Sequence, residues 1–204
     1  MSAIVLSGGD ALLIVDPQVD FLPGGSLGVP QGDAVLAPIT RLIDLYRAQA
    51  LPVYVSRDWH PALHCSFAAQ GGPWPVHCVA GSDGARFAAA LQLDDAVVVS
   101  KATTVALDAY SAFNGTGLAD DLRARGIRRL AVCGLATDYC VLNTVIDGLA
   151  AGFEVLLVTE AIRAVNVAPG DGERALGRML DNGAVPVQLS GRGLMADLAV
   201  GAAA

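Results

Sequence analysis

The sequence predicts a doubly wound α/β domain with a six-stranded parallel sheet and helices on both faces. Six short runs rich in Val, Ile and Leu are continuous rather than alternating, as in strands that are buried on both faces of a parallel sheet. Helical patterns separate several of these runs, and such strand–helix alternation is typical of α/β proteins. The length of 204 residues suits one domain, so we expect residues 1–204 to form a single domain.

The predicted elements follow one another along the chain. The strand runs cover residues 11–16, 51–58, 96–101, 129–134, 154–160 and 185–190. Helical patterns cover residues 35–50, 117–126, 138–152 and 170–183. The last three patterns end at Gly126, Gly152 and Gly183, and glycine is a common residue just beyond a helix C-terminus. The terminal stretch 198–204 is expected to fray.

Composition excludes some classes of function. The net charge of −7 argues against a nucleic-acid-binding protein, whose affinity comes largely from neutralising phosphates. No apolar run is long enough to span a membrane, and the N-terminus carries no secretion signal. We therefore expect a cytoplasmic protein with neither a nucleic-acid nor a membrane partner. A chain of 204 residues in which 53% are hydrophobic can form a large core and does not need its four cysteines as disulfides.

One segment, about 58–87, interrupts the alternation of strands and helices. Residues 60–87 show no clear strand, yet the segment 58–87 carries all three histidines, both tryptophans and two cysteines. Long irregular segments in compact domains are usually functional. We therefore predict that this loop contributes to a binding site.

Reactive side chains stand at the ends of four predicted strands. The first run ends at Asp16, the second at Asp58, the third at Lys101, and the fourth leads into a loop that carries Cys140. Ligands of doubly wound sheets bind outside the carboxyl ends of the strands, so these residues are expected to converge there.

Cys140 stands where a nucleophile is expected. Thr137 or Asp138 could cap the helix that follows, which places Cys140 in its first turn, where the helix dipole favours a thiolate. Lys101 would favour the thiolate further, and free backbone N–H groups at the turn could stabilise an oxyanion. The alternative is a buried cysteine that packs under the turn.

Asp16 and Lys101 have two interpretations each. A carboxylate beside a cysteine can take the thiol proton and return it to a leaving amine, whereas Asp16 could also simply form a turn. Lys101 would hold Asp16 ionised and oriented, or it could be an ordinary charge at a strand end.

A metal site is the second hypothesis. Asp58, His60 and His77 suit a metal bound by one carboxylate and two imidazoles, and His64 is a candidate fourth ligand. Such ligands admit zinc, iron or manganese. Cys65 and Cys78 flank these histidines and could be ligands or a disulfide, although we expect neither.

These motifs resemble the nicotinamidase/pyrazinamidase group of the isochorismatase-like cysteine hydrolases. The similar stretches are ALLIVDPQVDFLPGGSL, SRDWHPALHCSFA, WPVHCVAG, VVVSKATTVALDAYSAF and GLATDYCVLNTVIDGLAAGF, which together cover nearly the whole chain. Val19 and Ala102 depart from the Asn and Gly that the family often has.

The resemblance implies the fold of this family and a role for each motif residue. It implies a triad of Asp16, Lys101 and Cys140, with a cis peptide bond between Leu135 and Ala136. The remaining implied residues are the metal ligands Asp58, His60 and His77 with His64 as an additional candidate, the oxyanion-hole N–H groups of Ala136 and Cys140, and the ring-contacting side chains Phe21, Trp74 and Tyr110.

The implied activity is the hydrolysis of nicotinamide, and of pyrazinamide as well, through a cysteine thioester. One divalent metal ion, zinc first, would bind the pyridine nitrogen, and the partner would be the small-molecule amide. The alternatives are another amidase of the superfamily that acts on a different small amide, a non-catalytic binding protein that keeps the pocket, and a vinyl-ether hydrolase. The oligomeric state is left open, and a homo-oligomer is allowed.

Overall fold

Eight strands form one sheet in residues 2–191 and 193–196, the part of the chain that our computed structural model describes. Along the chain they are β1 (Ser2–Ala3), β2 (Asp10–Val15), β3 (Val53–Asp58), β4 (Val97–Lys101), β5 (Arg129–Leu135), β6 (Glu154–Arg163), β7 (Val185–Ser190) and β8 (Gly193–Ala196). Across the sheet their order is β1-β8-β7-β6-β5-β2-β3-β4.

The six predicted strands are confirmed as β2 to β7, and they all pair in parallel. The prediction of a six-stranded sheet is nevertheless too small, because β8 pairs antiparallel with β7 and β1 pairs antiparallel with β8. These two antiparallel strands have two and four residues. They are too short to produce an apolar run that the sequence pattern could reveal.

Helices cover both faces of the sheet, as predicted. They are α1 (Leu36–Arg47), α2 (Leu118–Ala124), α3 (Leu142–Ala150) and α4 (Asp171–Asp181). Every residue of β2 is buried, and its side chains alternate between two cores. Leu12 and Ile14 belong to the core that includes the buried residues of α1, whereas Leu13 and Val15 belong to the core of α2, α3 and α4.

The chain changes direction at the centre of the sheet. From β2 it proceeds to β3 and β4 on one side, and it then returns to β5 on the other side of β2. Val15 and Gly134 pair where these two central strands end. Gly134 has φ +116°, and a Cβ there would lie 2.1 Å from the Val15 carbonyl oxygen. Only glycine therefore permits this close approach, at the switch point where ligands of such sheets bind.

The segment between β3 and β4 is irregular, as predicted for residues 58–87. Its only helical piece within the described residues is a short 3₁₀ turn at Ala68–Gln70. Backbone hydrogen bonds fold it over the carboxyl end of the sheet: the His60 N–H donates to the Cys78 carbonyl, and the Ala80 N–H donates to the His60 carbonyl. These bonds bring the sequence around His77 next to the end of β3.

Among the described residues, no helix has the length and apolar character needed to cross a bilayer. The expected fraying at 198–204 concerns residues outside the described part of the chain.

Candidate active site

The side chains of Asp16, Lys101 and Cys140 meet beyond the carboxyl ends of the central strands. The Lys101 Nζ atom lies 2.9 Å from Asp16 Oδ2 and donates to Cys140 Sγ at 3.4 Å. All three residues are buried. The structure thus brings together the three groups that strand order alone placed at one edge.

Asp58 is a fourth member of this group, as its place at a strand end predicted, but its contact with Lys101 was not predicted. Asp58 and Lys101 are register partners in the parallel pair β3–β4, so their side chains are neighbours. The Lys101 Nζ atom donates to Asp58 Oδ1 at 2.5 Å and to the Ala109 carbonyl at 3.2 Å. On the other carboxylate, the Ser56 hydroxyl donates to Asp16 Oδ1 at 2.7 Å. One ammonium therefore holds two carboxylates and the thiol.

The surroundings of Cys140 favour a neutral thiol at rest. Burial is the largest influence and raises the pKa of the Cys140 thiol, and the opposing effect of Lys101 is met by Asp16 and Asp58, which raise that pKa again. Burial and the two carboxylates thus oppose the resting thiolate that Lys101 and the helix start were expected to favour. Burial is the main reason, and the second carboxylate adds to it because it leaves more negative than positive charge around the sulfur.

The two other groups have the protonation states that a proton transfer needs. Burial raises the pKa of Asp16, with Lys101 opposing and Asp58 reinforcing the shift, so Asp16 is a stronger base than an ordinary aspartate. Burial alone would lower the pKa of Lys101, but Asp16, Asp58 and Cys140 raise it well above its usual value. Lys101 is therefore a permanent cation beside a basic carboxylate.

Cys140 lies in a tight helical turn that begins at the end of β5. Residues Thr137–Val141 form a single π-helical turn that continues into α3, and the peptide bond between Leu135 and Ala136 is cis, as the family resemblance implied. The predicted side-chain cap is wrong, since Ala136 occupies the cap position and makes no side-chain bond.

Asp138 serves a different purpose from capping. Its carboxylate accepts hydrogen bonds from the Val165 and Asn166 N–H groups at 2.9 and 2.8 Å, and it thereby ties the turn of Cys140 to the loop after β6. Val165 in turn lines the cavity in front of Cys140. Asp138 therefore joins two walls of the site.

Asp58, His60 and His77 form a buried cluster with one ligand atom each, all within 4.8 Å of one another. His60 Nδ1 lies 3.3 Å from the Ala102 carbonyl and His77 Nδ1 lies 2.8 Å from the Pro75 carbonyl. Because a carbonyl only accepts, each Nδ1 carries the proton and each Nε2 keeps its lone pair. Backbone carbonyls that accept from the other ring nitrogen orient metal-ligating histidines in this way.

The electrostatics of the cluster fit a divalent cation. His60 Nε2 is buried without a hydrogen-bond partner in the described structure and lies 3.6 Å from Asp58 Oδ2. Burial lowers the pKa of His77, which keeps that ring neutral. Burial would raise the pKa of Asp58, but Lys101 and His60 lower it overall, so Asp58 is charged. An orphaned nitrogen, a neutral imidazole and a carboxylate are suitable ligands for zinc, iron or manganese.

His64 lies beside this cluster but has other partners. Its ring stacks on His60 with the centroids 4.2 Å apart. His64 Nε2 is 3.1 Å from the Leu107 carbonyl and His64 Nδ1 is 2.8 Å from the Ser66 hydroxyl, so both ring nitrogens are occupied. Cys65 and Cys78 are free thiols, in line with the expectation that they form no disulfide.

A cavity opens in front of Cys140 and the cluster. The predicted ring-contacting residues Phe21, Trp74 and Tyr110 all line it. The Trp74 indole N–H donates to the Tyr110 hydroxyl at 3.0 Å, which fixes these two rings together. The sequence analysis missed Tyr139, whose ring lies edge-on to Trp74 with a centroid distance of 5.0 Å. The sequence did contain a clue to this role, because Tyr139 directly precedes Cys140.

Phe67 is a second residue that sequence reasoning missed. It is fully buried, and its ring packs against the rings of all three histidines at centroid distances of 5.5 to 5.8 Å. Phe67 therefore holds the imidazoles in place from outside the cavity. A phenylalanine among histidines in an irregular loop was the signal in the sequence.

Comparisons with known proteins agree with this geometry. The model of the isochorismatase domain matches residues 10–190. The chain is 43% identical over 196 residues to a nicotinamidase from Escherichia coli (strain K12), across 85% of this chain and 92% of that protein.

Two solved structures share the fold closely. One is a pyrazinamidase of Pyrococcus horikoshii in complex with zinc, with a TM-score of 0.85, 45% identity and coverage of 89% of this chain and 99% of that one. The other is PnC1 from L. infantum in complex with nicotinate, with a TM-score of 0.85, 39% identity and coverage of 92% and 96%.

Proposed function

The chain belongs to the isochorismatase family, and we propose that within it this amidohydrolase is a metal-dependent nicotinamidase that converts nicotinamide to nicotinic acid and ammonia. Pyrazinamide is the second substrate of the proposal. The observation that carries it is that Lys101 joins a cysteine nucleophile to a metal-type cluster at one aromatic cavity. The proposal also includes a cytoplasmic location and a single domain over residues 1–204.

The first chemical step is attack by Cys140 on the amide carbon. Asp16 takes the thiol proton as the sulfur approaches the carbon, a transfer that the raised pKa of Asp16 supports. Lys101 keeps its charge throughout and stabilises both the carboxylate and the forming thiolate. The backbone N–H groups of Ala136 and Cys140 are our candidates for holding the oxyanion of the tetrahedral intermediate.

The intermediate then collapses and is hydrolysed. Asp16 returns its proton to the leaving nitrogen, the C–N bond breaks, and ammonia departs from a thioester on Cys140. Asp16 next takes a proton from a water molecule, whose oxygen attacks the thioester carbonyl. The C–S bond breaks, the sulfur regains a proton, and the carboxylic acid leaves. One water is consumed for each amide hydrolysed.

The cavity supplies the recognition of the ring. Phe21, Trp74 and Tyr139 offer aromatic surface to a flat heterocycle, and Cys140 lines the same cavity. A divalent metal held by Asp58, His60 and His77 would supply a Lewis-acid site for the ring nitrogen, and the zinc in the similar pyrazinamidase supports zinc as the first choice. We regard His64 as a support of this cluster, because its ring nitrogens have other partners.

Ammonia release from a panel of amides tests the proposal. Nicotinamide and pyrazinamide should be hydrolysed, benzamide should be poor because it lacks a ring nitrogen, and a small acyclic amide should be poor as well. A chelator should abolish the activity, and adding zinc, iron or manganese back should restore it. Cys140→Ala is the control for contaminating amidases.

One outcome favours the second candidate, another amidase of the family. If the acyclic amide were the best substrate and a chelator left its hydrolysis intact, the nicotinamidase proposal would be wrong. If no amide were hydrolysed but ring compounds still bound, the chain would be the non-catalytic binding protein that the sequence left open.

A further inference from the structure

Gln18 is a fully buried amide that none of the steps above uses. Its side chain makes three hydrogen bonds. The Nε2 atom donates to the Asp58 carbonyl at 2.8 Å and to the Ala85 carbonyl at 3.0 Å, and Oε1 accepts from the Asp58 N–H at 2.8 Å. Two of the three bonds thus hold the backbone of Asp58, the residue whose side chain supplies the carboxylate of the metal-type cluster.

These bonds replace a part of the sheet that is missing. The backbone pairing of β2 with β3 stops at Ile14 and Val55, three residues before Asp58. On the other side of β3, the pairing with β4 continues to Asp58 itself. Asp16 turns the chain away with φ +45°, so no β2 backbone reaches Asp58. The primary amide of Gln18 pairs with the Asp58 N–H and carbonyl as a neighbouring strand would.

The position of Asp58 matters because each of its two carboxylate oxygens faces a partner in the site. Its Oδ1 accepts from Lys101, and its Oδ2 faces His60 Nε2 at 3.6 Å. A small rotation of the Asp58 peptide would move both oxygens away from these partners. The third Gln18 bond reaches Ala85, in the returning segment that also supplies His77, so the same side chain holds both halves of the cluster.

We propose that Gln18 is the positioning residue of the metal site, and that its two hydrogen bonds to the Asp58 backbone determine the affinity for the metal. This inference rests on the proposed metal site. Gln18 also joins that site to the triad, because its own N–H donates to the Asp16 carbonyl at 2.8 Å. The role requires an amide, since only an amide donates to two carbonyls and accepts from an N–H at once.

Gln18→Glu tests this with the smallest change in shape. The variant keeps an acceptor for the Asp58 N–H but loses both donors and turns an oxygen toward two carbonyls. Losses in the outer shell typically cost metal affinity about 10- to 100-fold, and we expect the Kd for zinc, measured by competition with a chelating dye, to rise by that factor. Gln18→Met removes all three bonds without adding charge, and it serves if the glutamate variant does not fold.

Two controls separate positioning from a general loss of stability. Gln188→Glu makes the same chemical change at an exposed site of β7 and should leave the Kd for zinc unchanged. Val187→Ala opens the buried core of the same strand, away from the cluster. It should lower the thermal midpoint of the metal-free protein while its zinc Kd remains that of the wild type.

The outcomes are distinct. The proposal is supported if each Gln18 variant that folds without metal has a raised Kd for zinc while both control variants keep the Kd of the wild type. A wild-type protein that binds zinc tightly and Gln18 variants with the same Kd would overturn it and leave the proposed function intact. A wild-type protein that takes up no zinc, iron or manganese would overturn the proposed metal site and this inference together.

Discussion

Replacing Lys101 with methionine should damage both stability and catalysis. Lys101 is the only lysine in the sequence, it is almost completely buried, and its ammonium contacts the carboxylates of Asp16 and Asp58. Methionine has a similar length and no charge. The variant therefore keeps most of the packing and leaves two buried carboxylates facing each other without a cation.

The magnitude follows from two opposing effects. At an effective dielectric constant of about 20, one pair of unit charges 2.9 Å apart attracts by roughly 6 kcal/mol. The desolvation of the ammonium offsets a large part of this attraction, and removing one partner of a buried ion pair typically costs about 3–5 kcal/mol. We expect the free energy of unfolding at neutral pH to fall by that amount. One carboxylate would take up a proton and keep the loss from growing further.

The same proton uptake explains the expected loss of activity. If Asp16 holds a proton at rest, it cannot accept the proton of the Cys140 thiol. General acid–base catalysis contributes about a hundred- to ten-thousand-fold, so kcat for ammonia release should fall by that factor. Adding Lys101→Met to the Cys140→Ala variant should change little, because the residues act as one unit and the nucleophile is already gone.

Urea unfolding and steady-state ammonia release measure the two effects. Arg123→Met is the matched control, because it removes a cation from the exposed pair with Asp120, and it should change the free energy of unfolding by about 0–1 kcal/mol and the rate not at all. A Lys101→Met protein with near-normal turnover would refute the reasoning and make Lys101 a structural charge only.

Four further changes probe the other parts of the site. Cys140→Ala should fold normally and release no ammonia from nicotinamide, and clear turnover in a pure preparation would contradict the nucleophile assignment. Asp16→Asn should lower kcat by several orders of magnitude in the same assay, whereas a modest loss would show that another group moves the proton. His60→Ala should lose the roughly one metal ion per chain that elemental analysis finds in the wild type, and it should no longer hydrolyse nicotinamide. Iodoacetamide should still alkylate Cys140, which mass spectrometry of the Cys140 peptide measures. A metal-free protein with full activity would contradict the metal's role in orienting the substrate. Tyr46→Phe removes a buried hydroxyl that has no partner in the described structure, so the free energy of unfolding should rise by roughly 1–3 kcal/mol, and a decrease would reveal a hydrogen-bonded internal water.

The parallel strands and the meeting of Asp16, Lys101 and Cys140 at one edge could be predicted because local pattern determines them. A strand buried on both faces must be apolar throughout, and the carboxyl ends of parallel strands must share one edge. Asp16, Lys101 and Cys140 follow from those two facts with no knowledge of packing. The antiparallel strands β1 and β8 could not be predicted, because their pairing depends on a partner strand and not on their own two or four residues.

Protonation at the site shows where a pattern of residue types stops being enough. The helix start and Lys101 predicted a thiolate at Cys140, but the register of β3 and β4 brings Asp58 against the same ammonium. Two carboxylates, Asp16 and Asp58, share the positive charge of Lys101, so less of that charge is left to stabilise a thiolate at Cys140. The cap failed for a related reason, since Asp138 has stronger partners in a loop 27 residues away.

The sharing of Lys101 has a consequence for how such a site works. An active site with a preformed thiolate would need the substrate only to arrive, but a buried neutral thiol reacts only when a base takes its proton as the bond forms. Orientation of the amide then becomes the main requirement, because proton transfer and attack must coincide at one atom. The cluster of Asp58, His60 and His77 lines the same cavity as Cys140 and is bound to the same lysine, so whatever holds the ring there also sets the distance from the amide carbon to the sulfur. Under the proposed function, substrate recognition and nucleophile activation therefore depend on one set of buried charges, and a change to either carboxylate should alter both.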